Sequence, residues 1–250
     1  MLRIENKKEV VEIYITGDII DDADGAFLQS FDAGEGYQWP SEIRAQLDAA
    51  KGKPITLYIN SNGGSVPAGV AIANMIARHD APTLAIVDGW CCSIATQAFF
   101  AADRRQMPSN AYLMLHKPST VTAGNADDML QAAEFLDVIQ KGLETTYQQA
   151  ALDGVDEKKI HNMVERETWL TGEEAAALFD IELTAATPVL NCVSARKAGN
   201  MKPPQGLNIK PEAVTQMEDD TADKKPAEVN NDEAARIKAV LAVAKGVMIS

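Results

Sequence analysis

The amino-acid sequence predicts an α/β fold, and three observations carry that prediction. Apolar, β-branched segments alternate with segments of helical period. Two strand-to-helix junctions are built from glycine and small residues, Ser61-Asn62-Gly63-Gly64-Ser65 and Gly89-Trp90-Cys91-Cys92-Ser93. A later strand closes on a titratable ring, His116. In folds of this class the loops after the strands gather at one edge of the sheet, where catalytic and binding groups collect.

The chain has 250 residues, 46% of them hydrophobic, enough for one domain with a substantial core and extra material besides. Its formal charge of −13 argues against nucleic acid or an anionic membrane surface and leaves proteins or small molecules as partners. The three cysteines, two of them adjacent at Cys91 and Cys92, cannot build a disulfide framework, and neither they nor the three histidines have zinc-site spacing. No cofactor and no metal is expected. Met1 to Glu9 carries charges where a signal peptide needs an apolar stretch, and no later run is long and apolar enough to span a bilayer. A reduced, cytoplasmic protein is expected.

Val10 to Ile15 reads as the first strand, ending at the turn Thr16-Gly17-Asp18. Residues 20–40 mix acids, glycines and Tyr37-Gln38-Trp39-Pro40, a surface loop with a short helix at Ala26 to Phe31. Pro40 precedes the helix Ser41 to Asp48. The strand Ile55 to Asn60 runs into the paired glycines, which permit a sharp turn whose bare N–H groups can face an anion or an oxyanion. That loop has neither the lysine ending of a phosphate loop nor the spacing of a dinucleotide site, and an ordinary structural turn explains it equally well. A helix from Pro67 to Ala77 follows.

Pro82 to Val87 reads as a buried strand ending at Asp88-Gly89, with Ser93 at the turn and a helix running through Phe100. Asp103 to Asn110 reads as a polar connection, Ala111 to Leu115 as a strand closing on His116-Lys117-Pro118, and residues 119–125 as loop. Ala126 to Ala151 carries a long helical pattern with Met129, Ala133, Leu136 and Leu143 at apolar positions; where that face projects it would pack against another subunit. Glu157 to Glu165 is a short helix, and Thr171-Gly172-Glu173-Glu174 a capping box opening a helix over Ala175 to Phe179. One more strand is expected near Pro188 to Val193. Residues 196–231 have the composition of a disordered linker and 232–250 an amphipathic helical pattern, which leaves 1–195 as the folded domain.

Taken alone, Ser93 is an N-cap serine and His116 a surface histidine. Together they supply part of a nucleophilic site. A serine hydroxyl is a weak nucleophile until a base takes its proton, the base must be oriented by an acid, and the tetrahedral oxyanion needs donors. Ser93, His116, an acid further along, and the Gly64 and Ile94 amides fill that inventory. The order Ser, His, acid differs from that of the α/β-hydrolases, and Cys91 and Ala95 occupy the glycine positions of their G-x-S-x-G elbow.

Several stretches in sequence order resemble the proteolytic subunit of the Clp proteases, and in particular its phage and prophage branch, the head maturation proteases. They are Ile13-Tyr14-Ile15-Thr16-Gly17, Leu57 through Val66, the Ser93 turn, Pro108-Ser109-Asn110, Leu113 through Pro118, and Glu167-Thr168-Trp169-Leu170-Thr171 with Glu174-Ala175. The resemblance implies a Clp protease/crotonase-like fold of repeated ββα units, with Ser93 as nucleophile, His116 as general base, and the Gly64 and Ile94 amides as oxyanion hole. The third member falls on Glu167, where Clp subunits usually carry the shorter aspartate; Asp180 is the alternative. Asn62 stands where the family usually has proline, and the loop from Ser30 to Ser41 is longer than the family's. The resemblance also makes the Ala126 to Ala151 helix the handle that joins rings into a chamber, implying a homo-oligomer acting on protein or peptide substrates.

Few residues precede the Ile13 strand, so the family's N-terminal segment that meets an ATPase is expected to be missing and coupling to an ATPase weak or absent. The expected function is a serine endopeptidase that cleaves phage capsid or scaffold proteins in the host cytoplasm or inside the procapsid. The competing readings are a crotonase-type acyl-coenzyme A enzyme, which needs no serine nucleophile, a Ser-Lys peptidase with Lys117 as base, and a non-enzymatic capsid scaffold.

Overall fold

The structure, a computed structural model, describes residues 10–186. The expected Pro188 to Val193 strand, the 196–231 linker and the 232–250 helix lie outside those residues. The strands are β1 (Val11–Ile19), β2 (Tyr37–Gln38), β3 (Ile55–Gly64), β4 (Thr83–Cys92), β5 (Arg104–Pro108), β6 (Tyr112–Leu115), β7 (Thr168–Thr171) and β8 (Glu182–Thr184). The helices are α1 (Asp22–Ser30), α2 (Pro40–Ala49), α3 (Val66–Ala77), α4 (Ala95–Phe100), α5 (Ala126–Ala150), α6 (Glu157–Glu165) and α7 (Gly172–Ala176). All eight strands join one sheet in the parallel order β2-β1-β3-β4-β5-β8; β6 lies parallel to the far end of β4, and β7 runs antiparallel to β6.

Period-two alternation in β1 and β3 sends one set of side chains into the core. Ile13, Ile15, Leu57 and Ile59 are fully buried and cluster with Ala85 and Val87 of β4, Ile72 and Ile76 of α3, and Ala98 and Phe99 of α4. Each large aliphatic or aromatic side chain buried this way contributes about 1.5–3 kcal/mol. The other face of β1 carries Glu12 and Tyr14, both exposed, with Tyr14 stacked on Tyr58 of β3.

Most elements fall where the sequence places them, and the differences have physical causes. β1 runs on to Ile19, because the β3 ladder continues alongside it past Gly17 through a shift in register. The 20–40 loop holds α1, which starts at Asp22 rather than Ala26, and the two-residue β2. The polar Asp103 to Asn110 connection contains β5: it pairs through its backbone with β4 and β8, so its arginines and glutamine need not be buried. The sequence gives no apolar signal for β8 either, whose Glu182 pairs with Arg104. α7 begins at Gly172, since the Thr171–Glu174 capping box closes on the residues directly after the cap.

The most consequential difference lies in β4. Asp88-Gly89 does not end the strand; it is a bulge within it. Ile59 pairs with Val87 but Ser61 pairs with Cys91, so extra β4 residues loop out between the two, and the Trp90 N–H is taken up by the Asn60 side chain at 3.1 Å. Before the bulge β4 pairs with β5, and after it with β6. The helix consequently starts at Ala95, two residues past Ser93.

Gly69 sits inside α3, where alanine would ordinarily be favoured by ~1 kcal/mol. A Cβ there would overlap Cγ1 of Ile94, the residue after Ser93. Overpacking therefore outweighs helix propensity. Gly69→Ala is expected to lower unfolding free energy by about 1–3 kcal/mol in urea titration; a stabilised variant would show that the α3–Ile94 contact is not tight.

Candidate active site

Three neighbouring strands deliver three side chains to one edge of the sheet. In the parallel β4–β6 pair, Trp90, Cys91 and Cys92 stand beside Tyr112, Leu113 and Met114, and the Ser93 N–H donates to the Met114 carbonyl at 3.0 Å. One further step sets Ser93 beside Leu115, with His116 next. In the antiparallel β6–β7 pair, Leu115 stands beside Thr168, so one step beyond the ladder brings His116 opposite Glu167. Residues distant in the chain are thus brought together by strand register.

The side chains follow that register. Ser93 Oγ and His116 Nε2 lie 2.7 Å apart, so the hydroxyl donates to Nε2 in the tautomer that keeps its proton on Nδ1. Ser93 has φ +55°, a left-handed conformation that costs of order 1 kcal/mol outside glycine and is held here from all sides. Its N–H is fixed by β6 and its carbonyl accepts from the Thr96 hydroxyl, which itself hydrogen-bonds the Tyr147 phenol of α5 at 2.8 Å. Full burial pushes Tyr147 up to about 12, so it stays a neutral partner.

The glycine loop closes the other side. At Gly63, a Cβ would come within 2.7 Å of the Ser93 Cβ and 3.0 Å of the Ile94 nitrogen. At Gly64, with φ +145°, it would overlap the Ile19 carbonyl. Only glycine lets this strand end pass so close to the serine turn. The loop is tied to the end of β1: Ser61 Oγ donates to the Gly17 carbonyl at 2.6 Å, and Ser65 Oγ to Asp21 Oδ1 at 2.7 Å. Among the described residues the Ile94 N–H has no hydrogen-bond acceptor, which leaves it available at the serine turn.

Burial disfavours the imidazolium and pushes the His116 pKa down, while the nearby Glu167 carboxylate pulls it part of the way back. A neutral imidazole is the form that can accept the serine proton. Glu167 is exposed, has φ +50°, and makes no hydrogen bond to the ring among the described residues. Asp180 is engaged elsewhere: Arg105 Nη2 donates to its Oδ2 at 2.6 Å, and Arg105 Nε to its backbone carbonyl at 2.9 Å. Lys117 points its ammonium at both Glu165 oxygens, each at 2.8 Å.

Sequence reasoning missed the supports. Gly69 carried a readable signal, since a glycine within a helical pattern usually marks close packing. The Thr96–Tyr147 hydrogen bond and the Asn60 contact to Trp90 left none. Among the described residues no cluster of histidine, cysteine or acidic side chains could hold a metal ion, and no helix is long and apolar enough to cross a membrane.

A Clp protease family profile matches residues 39–178, the span that holds Gly64, Ser93, His116 and Glu167. The chain belongs to the Clp protease family. Over 129 residues it is 38% identical to an ATP-dependent Clp protease proteolytic subunit of Streptococcus equi subsp. equi, a match covering 50% of this chain and 65% of that one. To ATP-dependent Clp protease proteolytic subunit 1 of Protochlamydia amoebophila it is 36% identical over 129 residues, 50% of this chain and 61% of the relative. The match to these Clp subunits thus spans a little under two thirds of their length. A mutant ClpP1 from Listeria monocytogenes superposes with a TM-score of 0.55 at 21% identity, over 70% of this chain and 91% of that one, which supports the Clp protease fold.

In this Clp protease chain the His116 ring is expected to titrate below its ordinary value of 6.5, because burial is the larger of the two effects on it. Histidine NMR titration reads this directly, since the chain has three histidines to assign. Glu167→Gln removes the opposing influence and should move the midpoint further down; an upward move would mean that Glu167 does not act on the ring.

Proposed function

We propose that the chain is a serine endopeptidase with Ser93 as nucleophile, His116 as general base and Glu167 as the acid that orients the imidazole. Ser93 Oγ attacks the scissile carbonyl while His116 Nε2 takes the hydroxyl proton. The oxyanion is received by the Gly64 and Ile94 amides, the proton passes from His116 to the leaving amine, and water then hydrolyses the acyl-enzyme by the same base. The observation that carries the reading is the 2.7 Å contact between Ser93 Oγ and a His116 that burial keeps neutral. Glu167 is one methylene longer than the usual aspartate, and catalytic hydrogen bonds that are loose in a free enzyme often tighten when substrate binds. A crotonase-type enzyme would need no such serine contact, and a Ser-Lys peptidase would need a free Lys117.

Protein or peptide substrates and a homo-oligomeric ring belong to the same reading. Two uncovered surfaces support assembly. The first half of α5 stands clear of the core, with Leu130 65%, Phe135 63% and Val138 66% exposed, and only from Gln140 onward is its inner face buried. The Tyr14–Tyr58 stack lies on an uncovered sheet face. As the physiological substrate we propose an assembling phage capsid or scaffold protein, on the resemblance of the Leu57 to Val66, Ser93 and His116 segments to head maturation proteases.

Cleavage of a fluorogenic peptide without nucleotide tests the chemistry. Ser93→Ala is expected to reduce kcat by a factor on the order of 10⁴ or more, and Glu167→Ala by about 10–10³. Undiminished cleavage by Ser93→Ala would refute the assignment.

A further inference from the structure

The last backbone rung between β6 and β7 joins Leu115 to Thr168, so His116 and Glu167 both lie outside the ladder. Immediately beyond them, Lys117 and Glu165 form an ion pair, with Nζ 2.8 Å from each carboxylate oxygen. We propose that Lys117 is a positioning residue: its pair with Glu165 closes the β6–β7 junction past the final rung and so sets the separation of His116 from Glu167. The inference rests on the serine peptidase reading of the site and extends it.

Glu165 is suited to be the fixed end of such a clamp. Its Oε1 also accepts from Gln140 of α5 at 3.3 Å, and Gln140, itself buried, donates to Glu144 at 2.8 Å. His161 Nδ1 lies 3.0 Å from the same Glu144 oxygen. Glu165 is thereby tied to both α5 and α6, while Lys117 belongs to the segment that carries His116. The carboxyl is held below its usual range, first by the Lys117 hydrogen bond and then by that of Gln140.

Global stability is not what the pair supplies. Lys117 is 51% and Glu165 36% exposed at the side chain, and half-exposed pairs of this kind add little to folding free energy. Geometry is what it supplies. Glu167 sits in the left-handed region at φ +50° on the two-residue connection, Arg166-Glu167, between α6 and β7. Releasing Lys117 lets the two strand ends splay, and misplacement by about 1 Å in a catalytic site can cost up to ~100-fold in rate.

Four full-length variants test the clamp: Lys117→Met, Lys117→Arg, Glu165→Gln, and Lys117→Met combined with Glu165→Gln. On a fluorogenic peptide, Lys117→Met is expected to lower kcat about tenfold with KM held within about twofold, and Lys117→Arg to restore most of it. The double variant should be no slower than the slower single, because both changes remove one interaction. Additive losses, or no loss, overturn the proposal. A loss beyond about 10³-fold with no rescue by arginine and an inert Glu165→Gln would make Lys117 a base instead.

NMR titration of His116 supplies a readout that needs no turnover. Loss of the clamp weakens the upward pull of Glu167, so Lys117→Met should lower the His116 midpoint. Deleting a cation acts through space in the opposite sense and would raise it. An unchanged or raised midpoint therefore overturns the clamp. If the wild-type chain cleaves no peptide, the peptidase reading fails while this titration still decides whether Lys117 positions the ring.

Discussion

Everything at the site depends on the left-handed backbone at Ser93, held at the end of β4. An isolated chain would leave that conformation; here it is over-determined. The Ser93 N–H is bound to Met114, its carbonyl accepts from Thr96, and Gly63 and Gly69 each leave room that a methyl group would take from the turn. Strain of this size persists only where the surroundings fix it. The result is a hydroxyl turned out of the sheet edge toward His116.

The second constraint is register. β4, β6 and β7 are offset so that the residue after β4, the residue after β6 and the residue before β7 are set side by side. A shift by one residue would turn each of these side chains to the opposite face of the sheet. The bulge at Asp88-Gly89 matters for the same reason: it lets one strand serve β5 in its first half and β6 in its second, which carries Ser93 to the histidine strand. Burial does the electrostatic work that remains, by holding His116 in the form that can receive a proton. Beyond the ladder, the Lys117–Glu165 pair ties the histidine-bearing segment to the two helices that pack beside it.

Much of this was legible in the sequence, and what was not has clear physical reasons. The apolar strands of β1, β3 and β4, the long α5, the short α6 and the α7 capping box follow from period and capping chemistry, which are local. The Ser93–His116 pairing was reached through residue types and the Clp protease resemblance, because proximity of distant residues is set by register, which no local pattern encodes. Asp-Gly marks a strand end and a bulge alike, so the sequence does not tell the two apart. β5 and β8 were missed since their backbones pair while their side chains stay polar. Asp180 and Glu167 read alike as candidate acids, and the ion pair that engages Asp180 with Arg105 joins residues too far apart in the chain for a local pattern to show it. Lys117 reads as a possible base because it is the nearest lysine candidate, and its ion pair with Glu165 is a long-range contact that no local pattern shows.

The central claim is that His116 activates Ser93, and the most direct measurement is the site and rate of reaction with a fluorophosphonate, mapped by mass spectrometry on the intact and digested protein. The account predicts a single adduct at Ser93 that forms at least about a hundredfold more slowly in His116→Ala, consistent with loss of a general base. An adduct at another residue, or labelling of Ser93 at an undiminished rate without His116, would contradict it.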